Sequence, residues 1–420
     1  MTAPSLKHIA FASFVGTAIE FYDFYIYAMA AALVIGQVFF PASDPSMQSL
    51  NALLTFGLAF IARPLGALLF GHFGDRIGRK STLAVSLLVM GTSTFLIGLL
   101  PAYASWGVWA PICLCVLRFV QGIGLGGEWA GAALLATEYA PEGKRGWYGM
   151  FPQLGPSIGF LLATLTFLGL SLGLSDAQFA LWGWRVPFII SAALVMIGLY
   201  VRFKLAETPV FAQAQAAHHL HRWPLKTLLL QHGRSIVLGA LAMSVCYHLF
   251  YTATVFCLSY GTQTLHIARP VFLALLCVAV IGMAIATPLA AWLADRVGRR
   301  PVLMSGQLFA VALGFALMPM VGSGQWLWIL LFLFAALFLM GVTFAPMGAF
   351  LPEQFPVAVR YSGAGLSYQL GGILGASFAP AIAQALVQQG GLSWVGGYMS
   401  CMALISLLAV WQMPSSVQSD

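Results

Sequence analysis

At 420 residues, 60% hydrophobic and 7% charged, the chain is unlike a soluble domain, which carries about 25% charged residues. Its net charge of +7, from 19 Lys+Arg against 12 Asp+Glu, is spread over short loops, which excludes nucleic-acid binding as the main activity. Six cysteines (Cys113, Cys115, Cys246, Cys257, Cys277, Cys401) lie in apolar runs without a CxxC pair, excluding a disulfide scaffold and a structural zinc site.

A membrane-crossing helix needs about 20 mainly apolar residues. Runs between polar breaks predict twelve, at 9–37, 50–70, 82–100, 109–134, 147–172, 186–203, 235–260, 270–292, 302–321, 326–350, 361–388 and 394–412. The first run contains Glu20 and Asp23 and lacks the basic start and small-residue site of a cleavable signal peptide. Glu20 lies roughly 17 Å deep, near the midplane, by the helical rise. Asp23 follows one turn on, on a similar face. The second run carries Arg63 before Pro64. The fourth carries Arg118, roughly 14 Å from its far end and so level with Asp23. Arg118, Gln121, Leu125 and Glu128 form a helical stripe, with Glu128 lower on the same wall. Gly122, Gly124 and Gly127 match GxGxxG, but no βαβ unit surrounds them. Glycines this dense within a span let two helices approach closely. Either Glu128 bonds across that contact or it faces the cavity.

Between the sixth and seventh runs, segment 204–234 is polar and holds His218, His219 and His221. It reads as a solvated, partly helical linker, and no metal is expected there. The seventh run places Ser244, Tyr247, His248 and Tyr251 on one helical stripe. That stripe is either a substrate wall or an aromatic packing seam, and His248 either relays protons or is a hydrogen-bonded helix histidine.

The chain repeats itself. GHFGDRIGRK at 71–80 is echoed by AWLADRVGRR at 291–300, matching Asp75/Asp295, Arg76/Arg296 and Arg79/Arg299 at an offset of 220. Glu138 and Arg145 match Glu353 and Arg360 at an offset of 215. The expected fold is therefore an all-α integral membrane protein. Its twelve transmembrane helices form two pseudo-symmetric six-helix bundles, 1–203 and 235–420, around a central cavity. Gln153 and the Tyr368–Gln369 pair are pseudo-equivalent and deep enough to line that cavity. With both termini cytoplasmic, 15 of the 19 Lys and Arg residues fall in inner segments, as the positive-inside rule requires.

Several stretches carry a resemblance. The repeated GHFGDRIGRK loop resembles the signature loop of the major facilitator superfamily. More narrowly, IEFYDFYIYA (19–28), RPLGALLFGHFGDRIGRK (63–80), LRFVQGIGLGGEWAGAALLATEYAP (117–141), WGWRVPFI (182–189) and LPEQFPVAVRYSGAGLSYQ (351–369) are similar to the metabolite:proton symporter family. That family includes carriers of shikimate, α-ketoglutarate, citrate and proline/betaine. The resemblance spans nearly the whole chain and implies a proton-coupled transporter of the bacterial inner membrane. It implies protons as the coupling ion, no cofactor, a small organic acid or zwitterion as substrate, and a monomer. The short tail, without a long coiled coil, departs from the osmosensing betaine/proline member.

Ionisable residues at mid-membrane cost roughly 2.5–3.5 kcal/mol on insertion scales and so mark function. Five are present: Glu20, Asp23, Arg63, Arg118 and Glu128. Two opposite pairs leave one acid over, which suits proton coupling. In the functional reading Asp23 alternates between a protonated form and a pair with Arg118, and the freed Arg118 grips a substrate carboxylate in two-point geometry. A first-span acid and a fourth-span Arg in related sugar:proton carriers support this; the alternative is a permanent structural ion pair. Glu20 is a proton carrier, a substrate contact or a partner of Arg63, and Arg63 reads equally as glue within the bundle. Candidate substrate contacts are Arg118, Gln121, Gln153, Tyr247, His248, Tyr251, Tyr368 and Gln369. The repeated loops are expected to latch the halves on the cytoplasmic side through Asp75, Arg76, Arg79, Glu138, Arg145, Asp295, Arg296, Arg299, Glu353 and Arg360, by acid-to-helix-terminus contacts and ion pairs. Otherwise they only set orientation. No activated nucleophile, metal-spaced set or nucleotide loop supports an enzyme, and no soluble output domain supports a sensor. Uptake is the leading direction, with proton-driven export as the alternative.

Overall fold

In a lipid core every backbone N–H and C=O must be satisfied within its own segment, so an apolar chain of this kind crosses as helices. The computed structural model describes residues 6–41, 45–77, 79–127, 129–138, 140–141, 143–204, 228, 230–356 and 359–414, and helices are the only regular structure among them. The first half runs Leu6–Ala30 (continued to Phe39), Pro45–Ile77, Arg79–Leu99, Trp109–Leu125 with Trp129–Glu138, Arg145–Gly173 and Val186–Lys204. These are spans one to six. Spans seven to twelve run Gly233–Tyr251 (continued to Gln263), Arg269–Val297, Arg299–Val321, Trp326–Phe344, Arg360–Gly372 (continued to Gly390) and Leu392–Gln412. Ten of these are long and apolar enough to cross a membrane, and spans three and four supply shorter apolar helices. The architecture is the twelve-helix one expected.

Three spans contain a π-helical turn: Ala31–Ile35 in span one, Thr252–Phe256 in span seven and Ile373–Ser377 in span eleven. Such turns hold one residue more than the α-helix around them.

Packing follows the two halves. Span one lies on five and six, span four on two and three, eight on ten, nine on twelve, and seven on eleven. Spans five and eight, and spans two and eleven, meet across the halves. Glycines permit the closest approaches. A methyl added at Gly122 would collide with the Ala59 carbonyl, one at Gly126 with the Arg63 carbonyl, and one at Gly66 with the Ile123 carbonyl. Spans two and four therefore touch backbone to backbone. Gly298, between spans eight and nine, has φ +96, which explains the glycine of the repeated loop.

The outer surface is apolar, with Leu172 and Phe315 each 72% exposed. Exposed tryptophans mark both ends: Trp106, Trp109, Trp326 and Trp394 at one, Trp147, Trp292 and Trp411 at the other. A continuous apolar belt with aromatic rims is a lipid-facing surface. The end bearing residue 298 is termed the loop face below.

Candidate functional site: a polar and aromatic centre clasped at both faces

Span one carries Glu20 and Asp23 into the interior of the first half, where both are buried. Asp23 is 0% exposed, and neither carboxylate oxygen has a hydrogen-bond partner. Ser191 Oγ of span six lies close by but outside hydrogen-bond geometry. The expected Asp23–Arg118 pair is not formed in this state. Arg118 Nη2 donates to the Phe56 carbonyl of span two at 3.0 Å, its Nη1 donates to the Gln121 side chain, and its plane lies 3.7 Å over the Tyr27 ring. The long side chain is thus captured by neighbours in spans one, two and four.

Gln121 positions Arg118 in this state. Its amide donates to Thr94 Oγ1 at 2.8 Å and to the Asp23 carbonyl at 3.4 Å while accepting from Arg118. The bond to the Asp23 carbonyl also places span four level with Asp23, as the helical rise predicts.

Arg63 behaves differently. It is 3% exposed, and its guanidinium lies against the rings of Phe24 and Phe60, at 4.3 and 4.1 Å from their centroids. Its Nε and Nη2 have no hydrogen-bond partner, and the expected pair with Glu20 is not among the ion pairs of the described residues.

Between the halves lies an aromatic centre. Tyr25 stacks on Phe250 at 4.9 Å, and Phe60 meets Tyr247 and Tyr251 edge-on. The cavity among Tyr25, Tyr247, Phe250, Tyr251 and Tyr368 measures about 10 Å³, the lower limit for one water. Tyr247, Tyr251 and Tyr368 line it. His248 does not: one residue on is a 100° rotation, and its ring instead packs edge-on against Tyr398 of span twelve at 4.5 Å. Neither of its ring nitrogens has a hydrogen-bond partner, so the hydrogen-bonded alternative fails too.

Below this cavity the halves clasp each other reciprocally. Gln153 of span five donates to the Phe344 carbonyl at 3.0 Å, and Gln369 of span eleven donates to the Gly126 carbonyl at 2.9 Å. Both carbonyls lie where spans ten and four break, and helix ends leave acceptors unsatisfied. Trp129 donates to Gln153 Oε1 at 3.0 Å and stacks on Tyr368 at 3.9 Å. These glutamines hold the two halves together in this state instead of facing the cavity. Sequence reasoning passed over Trp129; its signal was a tryptophan beside the Gly126–Gly127 break.

At the loop face, Asp295 accepts from the backbone N–H of Gly146 and of Trp147, each at 2.9 Å. A carboxylate of the second half thus caps the first turn of span five, which Arg145 opens. Arg299 pairs with Glu353. Arg296 lies over Trp292 at 4.1 Å, and Arg360 donates to the Phe355 carbonyl at 3.2 Å. The side chains of Asp75, Arg76, Arg79, Glu128 and Glu138, and the linker histidines, lie outside the described residues. Asp295→Asn keeps one acceptor and loses the charge and the second. Hydrogen bonds to charged groups contribute about 1.5–3 kcal/mol, so roughly tenfold or more of the population shifts toward opening at the loop face. Met150, buried against Ala291 and Ala294 beneath this contact, supplies the probe. Alkylation of Met150→Cys is expected to speed up when Asp295→Asn is added; an unchanged rate removes the latch.

The opposite face is also closed. Arg269 pairs with Asp176 at 3.1 Å and donates to Ser171 Oγ at 2.8 Å; Gln263 donates to the Ala32 carbonyl at 3.2 Å and bonds Ser49. Asp176 is solvent-exposed, so this ion pair contributes about 0–1 kcal/mol. These contacts were not foreseen, although Asp176 lies within a visible capping box, Ser175 with Gln178.

The chain has known relatives. Residues 9–231 match the family described as Sugar (and other) transporter, and residues 240–419 match the Major Facilitator Superfamily. It is 52% identical to the inner membrane metabolite transport protein YhjE of Escherichia coli (97% of this chain, 93% of that one). It is 39% identical to the E. coli shikimate transporter (98% and 95%) and 34% to the proline/betaine transporter of Salmonella typhimurium (96% and 82%). Its fold matches the E. coli xylose transporter XylE in a partially occluded inward-open conformation, with TM-score 0.77 at 18% identity over 99% of each chain. Two six-helix repeats, the duplicated loop and these relatives together make the chain a membrane transporter, not an enzyme, of the major facilitator superfamily, within its metabolite-transporter branch.

Proposed function

We propose that this transporter takes up a small organic acid or zwitterionic metabolite together with a proton, by alternating access across the bacterial inner membrane, with both termini cytoplasmic. The halves 1–203 and 235–420 rock as bodies joined by 204–234. The observation that carries the coupling is Asp23, a buried carboxylate without hydrogen-bond partners, one helix layer from a captured arginine. An unpaired carboxylate out of water is costly as an anion, and taking up a proton removes that cost. Releasing the proton calls for a cation, and Arg118, whose partner Gln121 also bonds the Asp23 carbonyl, is the candidate. Contacts at both faces describe an occluded state, through which a carrier passes between its two openings. Glu20, one turn below, is the second candidate for the proton.

The test is uptake by proteoliposomes with the medium acidified outside, using labelled shikimate, quinate, α-ketoglutarate, benzoate and glycine betaine. At least one is expected to accumulate above equilibrium and to leak back when a protonophore is added. Accumulation that ignores the protonophore removes proton coupling. Loss of preloaded substrate with the medium acidified outside, without uptake, favours proton-driven export.

A further inference from the structure

Two buried arginines lie near the aromatic centre, and their hydrogen-bonding edges differ. Arg118 has both terminal nitrogens engaged by the protein, at the Gln121 side chain and the Phe56 carbonyl. Arg63 has neither Nε nor Nη2 engaged, although both atoms are out of solvent. These two nitrogens form one side of the planar fork, the pair that grips a carboxylate with two parallel bonds. Phe24 and Phe60 lie against the guanidinium and compensate part of its charge. Nε and Nη2 are the donors left for an anion. A buried cation with unused donors calls for a partner, and no ion pair to Arg63 is among those given for the described residues.

The surroundings say what kind of anion. Phe60 touches Tyr247 and Tyr251 edge-on, and both line the central cavity. Tyr247 Oη is buried without a hydrogen-bond partner. Aromatic walls favour a flat or ring-shaped body, and the unpaired phenol favours a hydroxyl on it.

We propose that Arg63, not Arg118, anchors the substrate carboxylate, and that the substrate is a ring monocarboxylate held against Tyr25, Tyr247 and Tyr251. This deepens the reading of the protein as an organic-acid carrier and rests on it. The division of labour separates the two charges that must move: Asp23 and Arg118 inside the first half handle the proton, and Arg63 at the seam handles the anion. The small volume of the cavity in this state means that the ring enters as the halves part.

The test is equilibrium binding to the purified full-length protein in detergent, with no proton gradient. The probes are cyclohexanecarboxylate, its uncharged amide, and 4-hydroxycyclohexanecarboxylate. The parent is expected to bind the carboxylate at least tenfold tighter than the amide, and the hydroxy acid tighter still. Arg63→Gln removes the preference for carboxylate over amide, and Arg63→Lys, which keeps the charge but loses the fork, weakens carboxylate binding about tenfold. Tyr247→Phe removes only the advantage of the hydroxy acid. A parent that binds none of the probes, or that binds acid and amide alike, overturns the substrate class. Arg63→Lys binding the acid as tightly as the parent, or Arg118→Lys erasing the acid preference while Arg63→Lys keeps it, overturns the assignment of the anchor. Arg63→Lys also decides the case if Arg63→Gln does not fold. None of these outcomes touches proton coupling, which is read from gradient-driven accumulation.

Discussion

Asp23→Asn is expected to abolish accumulation of substrate against its gradient and to leave exchange of labelled for unlabelled substrate largely intact. An amide has nearly the shape of the protonated acid but cannot release a proton. In this protein the replacement breaks no hydrogen bond, because neither carboxylate oxygen has a partner in the occluded state. The folded protein should therefore survive, with the loss confined to coupling. Proteoliposome counterflow measured beside pH-driven uptake separates the two effects. If the variant still concentrates substrate and Glu20→Gln does not, the proton is carried one turn lower on the same helix. If both variants concentrate it, the first-span acids do not couple transport to protons.

The second large effect is structural. Gly122→Leu is expected to prevent the first half from assembling, and Gly122→Ala to destabilise it. The Ala59 carbonyl occupies the space of even a methyl group, and both partners are helix backbone that cannot step aside. Overpacking typically costs about 1–3 kcal/mol and more where the backbone must shift. Gly169 in span five is the control. Nothing lies within 4 Å of a methyl there, and Gly→Ala in a helix stabilises by roughly 0.5–1 kcal/mol. A temperature ramp read by size-exclusion chromatography should show Gly122→Ala melting lower and Gly169→Ala at or above the parent. Equal melting of the two variants contradicts backbone contact between spans two and four.

The span count and the loop-face chemistry were legible because charges in short repeated loops have few places to go. An acid seven-tenths of the way through the chain, repeated with its flanking arginines, had to meet a helix end or a basic partner. Asp295 meets the first turn of span five, and Arg299 meets Glu353. Inside the spans the same reasoning blurs. A stripe of polar residues fixes a face only to within one residue, and one residue is 100° of rotation. That error separates Tyr247, on the cavity, from His248, against span twelve. The contrast between Arg63 and Arg118 was beyond the sequence for another reason. Both are arginines buried in apolar helices, and what distinguishes them is a backbone carbonyl from a different helix, Phe56, that occupies one fork and not the other. The glutamine clasps were hidden in the same way, since their acceptors are carbonyls freed by helix breaks that leave little trace in composition.

The π-helical turns bear on how closely the two halves repeat each other. Those of spans one and seven begin at Ala31 and Thr252, 221 residues apart, almost the spacing of the two signature loops. A π turn widens a helix locally and shifts the faces of the residues beyond it, so spans one and seven carry the same offset at the same place in the repeat. The turn at Ile373–Ser377 has no counterpart, because span five is unbroken α-helix from Arg145 to Gly173 and carries Pro152 and Pro156 instead. The repeat is thus kept in spans one and seven and broken in spans five and eleven, the two that supply the glutamine clasps.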